Sequence, residues 1–233
     1  MNRSKTTALA MLIVAIVIYV LAAPVANADN SDLTVCDLPW SRLGEPAPDF
    51  SVRGVAGIER SLADFKGKYV VLEWVNFECP LAGKHYGSNE MQSIQKALRE
   101  QGVIWLSVCS AAPGLKGYSS GNDLRLLLAR QKSQAADYLI DEDGRMARLY
   151  DIDVVPTLLM IDPNGDLFYV ITPGESLYDA EGQDSSGKDY LTLALEADKV
   201  GREPGQVVQT EYGCSVVENR VIGSKPSETL PLD

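Results

Sequence analysis

Five short apolar runs are separated by stretches of a different period. Tyr69–Val75 is rich in Val and aromatic side chains, the pattern of a strand buried on both faces. Val103–Cys109 is a second run of this kind and Tyr138–Ile140 a short third. Thr157–Ile161 and Leu167–Ile171 flank Asp162-Pro163-Asn164-Gly165, a turn signal that predicts a hairpin. Between these runs the period becomes helical. Over Asn89–Glu100, Met91, Ile94 and Leu98 share a face; Asn89 is the expected N-cap, Gln92 its reciprocal partner and Gly102 the stop. Asn122–Lys132 puts Leu124, Leu127 and Leu128 on one face behind a capping Asn122. Ser186–Val200 carries a capping pair in Ser186 and Asp189, with Gly201 at its end. Strands alternating with helices, then a hairpin and a helix, predict an α/β fold: a central mixed β-sheet flanked by helices. Asp179–Lys188 reads as a polar loop and Gly223–Asp233 as a loose tail.

The first segment has another logic. Arg3 and Lys5 precede Ala8–Ala23, which carries no charge, and Ala26-Asn27-Ala28 supplies a small-x-small end. Charged start, apolar middle and small-residue end are the parts of a secretory signal, with cleavage expected after Ala28. The alternative is an uncut anchor, although the apolar run is short for a membrane span of ~20 residues. Residues 1–28 are therefore expected to be an address, 29–43 a lead-in, 44–200 the folded domain and 201–233 a C-terminal extension. The mature protein is expected to be periplasmic or secreted, without stable membrane insertion after cleavage. In such a compartment disulfides persist.

Composition narrows the function classes. Of 233 residues 45% are hydrophobic and 23% charged, an ordinary soluble balance. Lys plus Arg number 21 against 32 Asp plus Glu, a net charge of −11. Without clustered cations, a nucleic-acid partner is not expected. The one histidine, His85, excludes a two-His zinc motif, and Cys36, Cys79, Cys109 and Cys214 are too dispersed for a zinc knuckle. Neither a metal nor a cofactor is expected. Asp141, Glu142 and Asp143 beside Gly144 read as solvated turn residues rather than an acid/base pair.

Cys79 carries the candidate chemistry. Glu73-Trp74-Val75-Asn76-Phe77-Glu78-Cys79-Pro80 runs out of a buried strand. Proline suits the first helical position, where its missing N–H is not needed. That puts Cys79 at an N-cap, where free N–H groups and the helix dipole favour the nucleophilic thiolate. Lys84 and His85 follow within two turns and are expected to add positive potential. The competing reading is an inert buried cysteine.

The same residues carry a resemblance. Ala47-Pro48-Asp49-Phe50, Ser61-Leu62-Ala63-Asp64-Phe65-Lys66-Gly67-Lys68-Tyr69-Val70-Val71-Leu72 and Cys79-Pro80 resemble the redoxin branch of the thioredoxin-like superfamily, which includes peroxiredoxins of the AhpC/TSA type. Leu139-Ile140-Asp141-Glu142-Asp143-Gly144, Arg148-Leu149-Tyr150 and Val155-Pro156-Thr157 fit the rest of such a domain. The resemblance implies a thioredoxin-like fold and a cis-proline at Val155-Pro156 facing Cys79, with the Val155 backbone open to a bound thiol substrate.

This chain departs from the pattern at several positions. Thioredoxin-type reductases carry Cys-x-x-Cys, whereas here Ala82 takes the second cysteine's place. The Cys-x-x-x-Cys of copper-delivery members is broken by Gly83. Typical peroxiredoxins carry Pro-x-x-x-Thr-x-x-Cys; the matching residues are Leu72, Asn76 and Cys79. Asn76 would have to supply the amide that orients a substrate. A resolving thiol must come from elsewhere. Cys214, in a tail like that of extracytoplasmic relatives with a single cysteine at this position, is the expected partner. Cys109, or a structural Cys36–Cys214 staple, remains an alternative.

These features lead to an exported thioredoxin-fold oxidoreductase with Cys79 and Cys214 as catalytic residues and Asn76, Pro80, Val155 and Pro156 around the substrate. The first expectation is a peroxiredoxin-like thiol peroxidase acting on a peroxide and regenerated by an external thiol reductant. A protein that exchanges thiols and disulfides with a protein substrate is the second, and a non-catalytic binding module the third.

Overall fold

A computed structural model describes residues 42–173, 177, 189–204, 213–216 and the backbone of 221–222. The signal, most of the lead-in with Cys36, the 179–188 loop, Ser186 and the tail 223–233 lie outside the described residues.

The central sheet has five strands in the order β5-β4-β3-β7-β8. They are β3 (Val70–Trp74), β4 (Ile104–Cys109), β5 (Asp137–Ile140), β7 (Thr157–Ile161) and β8 (Leu167–Ile171). The pairings β3–β4 and β4–β5 are parallel, β3–β7 and β7–β8 antiparallel. This is the mixed sheet expected, and each strand falls within a residue of the apolar run that predicts it. All five residues of β3 and of β7 are buried, as strands covered on both faces must be. Before them, β1 (Ser51–Arg53) and β2 (Glu59–Ser61) form a small hairpin.

Parallel neighbours require crossovers, and helices supply them. Between β3 and β4 lie α1 (Pro80–Gly87) and α2 (Glu90–Glu100); α3 (Gly121–Gln131) connects β4 to β5. After β5 come α4 (Arg145–Leu149) and β6 (Val154–Val155), and after β8 comes α5 (Tyr190–Lys199). Met91, Ile94 and Leu98 are buried, the face the periodicity predicts. Burying each such side chain contributes roughly 1.5–3 kcal/mol. In the β7–β8 turn, Asp162 Oδ1 accepts the N–H groups of Asn164, Gly165 and Asp166, each at 2.9 Å. Gly165 takes φ +100°, which its missing Cβ permits.

The helix caps differ from expectation. Asn89 sits in the left-handed region and caps nothing with its side chain. Gln92 is drawn away by tertiary acceptors, donating to the carbonyls of Tyr86 at 2.8 Å and Gln131 at 2.7 Å. Ser120, not Asn122, precedes α3, and the Asn122 side chain accepts from Arg125 instead. Asp189 is itself the N-cap of α5, accepting the Thr192 N–H at 2.9 Å.

Beyond α5, two short strands β9 (Gly213–Ser215) and β10 (Val221–Ile222) return to the domain. With β6 they form a second antiparallel sheet, in the order β10-β9-β6. The C-terminal extension is thus stitched to the turn that precedes β7.

Candidate active site

Strand β3 ends at Trp74, and the chain makes one turn before α1 begins at Pro80. Asn76 builds that turn. Its carbonyl accepts the Cys79 N–H at 2.9 Å and its side-chain oxygen the Glu78 N–H at 2.9 Å. Its amide nitrogen donates to the Lys116 carbonyl at 3.2 Å. The side chain is buried, and its oxygen and its nitrogen each bond backbone. Asn76 therefore braces the cysteine loop.

Cys79 is the N-cap of α1, with extended backbone angles and Pro80 at the first helical position. Its carbonyl accepts the Gly83 N–H at 2.9 Å, starting the helix. Pro80 itself is exposed. Lys84 and His85 fall in the last turn of α1, at the negative end of its dipole and ~8 Å along the axis from Cys79. His85 is buried, with Nδ1 2.6 Å from Glu90 Oε2. A carboxylate thus stands directly against the His85 ring.

Cys79 is bonded to Cys214, with the two Cα atoms 6.0 Å apart and a sequence separation of 135. Cys214 is the middle residue of β9, opposite Val155 in the antiparallel pairing with β6, and Ser215 lies opposite Val154. The pairing is extended by Val216, whose N–H donates to Asp153 O at 2.9 Å. Cys79 Sγ also lies 3.7 Å from the Val155 carbonyl. The Val155–Pro156 peptide is cis, as the resemblance implies. Both bonded cysteines are 1% exposed. Four of the six expected site residues, Cys79, Cys214, Val155 and Pro156, are therefore brought together, with Pro80 on the outer side. The β6–β9 pairing has little sequence signal, because two- and three-residue strands show no period.

Cys109 ends β4 as a free, buried thiol. Its Sγ is 3.7 Å from the Gly117 carbonyl. Burial, the largest cause, pushes this thiol up; Asp141 adds to that, and hydrogen bonds with Ala111 and Tyr138 oppose it. A cysteine of this kind is a poor nucleophile.

Two carboxylates lie deeper than the sequence suggests. Asp141 is buried rather than solvated: it accepts the N–H groups of Met146 and Ala147 at 3.0 Å and the Ser110 hydroxyl at 2.5 Å. It holds the start of α4, while Glu142 and Asp143 remain exposed as expected. Glu73, in the middle of β3, is completely buried. Its carboxylate accepts from Tyr86 Oη, Gln95 Nε2, Trp105 Nε1 and Ser107 Oγ. Desolvation raises its pKa, outweighing the hydrogen bonds that lower it. Through Tyr86 the group ties the helix that carries Cys79 to the centre of the sheet.

A central mixed sheet, a cysteine at the start of the helix after its middle strand and a cis-proline turn against that sulfur define a thioredoxin-like protein of the redoxin type. The chain belongs to the AhpC/TSA family, whose model matches residues 43–170. Among its relatives is the thiol-disulfide oxidoreductase ResA of Geobacillus kaustophilus (strain HTA426), 29% identical over 131 residues, 56% of this chain and 69% of that protein. An uncharacterized conserved protein from Geobacillus kaustophilus shares the fold with a TM-score of 0.61 at 20% identity, covering 79% of this chain and 93% of the other. A hypothetical protein from Sinorhizobium meliloti 1021 does so with a TM-score of 0.61 at 18% identity, covering 73% and 91%.

Proposed function

We propose that the protein is a thiol-disulfide oxidoreductase in which Cys79 is the nucleophile and Cys214 the resolving cysteine. The observation that carries this reading is the bond between a helix N-cap cysteine and a cysteine 135 residues away on a strand beside the cis-proline turn. In the reduced protein the Cys79 thiolate attacks one sulfur of a target disulfide. The target S–S bond breaks, and its far sulfur leaves with the electron pair and takes up a proton. The mixed disulfide on Cys79 is then attacked by the Cys214 thiolate. The Cys79–Cys214 bond forms and the second target sulfur is released as a thiol. The target gains two electrons and the protein loses two, which an external thiol reductant restores. Val155 borders the reacting sulfur, and the cis-Pro156 turn shapes that border. The names of the ResA relatives support this reading.

A peroxidase cycle is the second reading, favoured by the family match. There the Cys79 thiolate attacks one peroxide oxygen, the O–O bond breaks and the other oxygen leaves, protonated, as water or an alcohol; the sulfenic acid so formed condenses with the Cys214 thiol to give the same disulfide and water. The engagement of the Asn76 amide with backbone weighs against it. The same reading has the protein working outside the cytoplasm, periplasmic or secreted, because residues 1–28 have the make-up of an export signal and the disulfide suits an oxidising compartment.

The test is a single turnover of reduced protein with a disulfide-bonded peptide and, separately, with hydrogen peroxide, the cysteines then being mapped by mass spectrometry. Exchange predicts that the peptide is reduced with formation of the Cys79–Cys214 bond, that Cys214→Ser traps a peptide on Cys79, and that Cys79→Ser is inert but folded. Peptide reduction by Cys79→Ser at the native rate would refute the assignment. Faster closure with peroxide than with any peptide would favour the peroxidase.

A further inference from the structure

Strand β9 is held against Cys79 by two constraints, the sulfur bond and the backbone pairing with Val154 and Val155. Its first residue, Gly213, has no room for a side chain. A Cβ there would lie 2.1 Å from Val154 Cγ1 and 3.0 Å from the Val155 carbonyl oxygen. Gly213 is the diagonal neighbour of Val154 on the same face of the ladder, and valine has little χ1 freedom with which to withdraw. The glycine is thus dictated by the edge on which the strand lies.

A target cysteine joined to Cys79 meets the same surroundings. The Cys79 sulfur lies 3.7 Å from the Val155 carbonyl, so a second sulfur bonded to it brings its backbone beside Val155. When the tail leaves, the backbone groups of Val154 and Val155 that it satisfied must be paired again, and an extended segment does this by strand addition.

We propose that Val154 is a specificity-determining residue, which selects extended target segments carrying glycine immediately before the reactive cysteine. The proposal rests on the exchange reading, in which a target sulfur replaces Cys214 on Cys79. The tail segment Gly213-Cys214-Ser215 is then an internal copy of the preferred target, and tail and target exclude each other on the Val154–Val155 edge.

The test uses the full chain with Cys214→Ser, reduced, and two peptides: Glu-Tyr-Gly-Cys-Ser-Val and the same sequence with alanine in place of glycine. Each is supplied as its mixed disulfide with thionitrobenzoate, and the rate at which the peptide becomes linked to Cys79 is followed by mass spectrometry. The glycine peptide should react about tenfold faster, the order expected when a side chain is forced off its rotamer. Adding Val154→Ala should bring the two rates within about twofold, since that substitution removes the blocking methyl groups. Equal rates without Val154→Ala, or an unchanged ratio with it, would overturn the selectivity and leave the exchange reading standing. No peptide on Cys79 in any variant would remove the exchange reading and the inference with it. A second measurement needs no added peptide. Gly213→Ala in the otherwise native chain should leave more open thiols at a fixed ratio of reduced to oxidised dithiothreitol, and Val154→Ala in the same chain should restore closure. Closure of Gly213→Ala as complete as in the native chain would also overturn the proposal.

Discussion

Substituting Glu73 separates the contribution of its shape from that of its charge. Oε2 accepts from Ser107 at 2.7 Å, Trp105 at 2.8 Å, Tyr86 at 3.0 Å and Gln95 at 3.2 Å, and Oε1 from Tyr86 at 2.9 Å. A glutamine in the same rotamer puts its carbonyl oxygen at the busier position. Its amide nitrogen then faces the Tyr86 hydroxyl, which can accept while pointing its own hydrogen at the carbonyl. Every donor that faced the carboxylate keeps an acceptor, one N–H of the new amide is paired, and the buried charge is gone. Burial, the leading cause, holds the Glu73 pKa above its ordinary value. The native state therefore binds this proton more tightly than the unfolded chain does. The favourable contribution is full below the ordinary value of ~4.3 and is lost as pH rises through the folded value, at up to ~1.4 kcal/mol per pH unit. Glu73→Gln removes that slope, so its stability relative to the native protein should climb with pH and level off once the native carboxyl has ionised. Glu73→Ala strands four buried donors at ~1–3 kcal/mol each. Even after relief of the charge, a net loss of ~3 kcal/mol or more is expected. Urea unfolding of the oxidised protein from pH 4.5 to 8, with unchanged m values, measures both variants. A Gln variant less stable than native at pH 7 by more than ~1 kcal/mol, or one with a parallel pH profile, would refute the reasoning.

The Cys79–Cys214 bond closes a span of 135 residues, for which chain entropy gives up to ~5 kcal/mol; reduction or Cys214→Ser should lower the melting temperature by about 10 °C or more, and a change under ~2 °C would mean that the entropy is not realised. In the reduced native protein Cys79 should be alkylated well before Cys109 at pH 7, because burial disfavours the Cys109 thiolate; mass-spectrometric labelling in increasing urea should bring Cys109 in only with unfolding.

Much of this was legible in the sequence where the cause is local. Proline after Cys79 has one natural place, the first turn of a helix, and Asp162 to Gly165 can hardly be anything but a turn. The strands were legible because burial on both faces leaves mostly apolar side chains, with Glu73 an exception paired inside the fold. What escaped depends on partners distant in sequence. Gln92 fits a capping box, but two carbonyls from elsewhere in the fold hold its amide instead. Nothing near Asn76 in sequence announces that the Lys116 carbonyl meets its amide. Asp141 has the setting of an exposed turn, and only the return of α4 buries it. The sequence leaves several partners open for Cys79, and the β6–β9 pairing is what brings Cys214 to it.

The family match ends at residue 170, while the partner of Cys79 stands at 214. The two cysteines of the proposed exchange cycle therefore lie on separable stretches of chain: one within the residues that the family model matches, the other on an extension whose described residues meet it through the β6–β9 ladder and one sulfur. A lineage can alter such an appendage while the sheet and its helix stay as they are. Under the proposed exchange cycle, strand affinity and cysteine position in residues 201–233 then become adjustable settings for how long Cys79 stays open, independent of the scaffold that holds it.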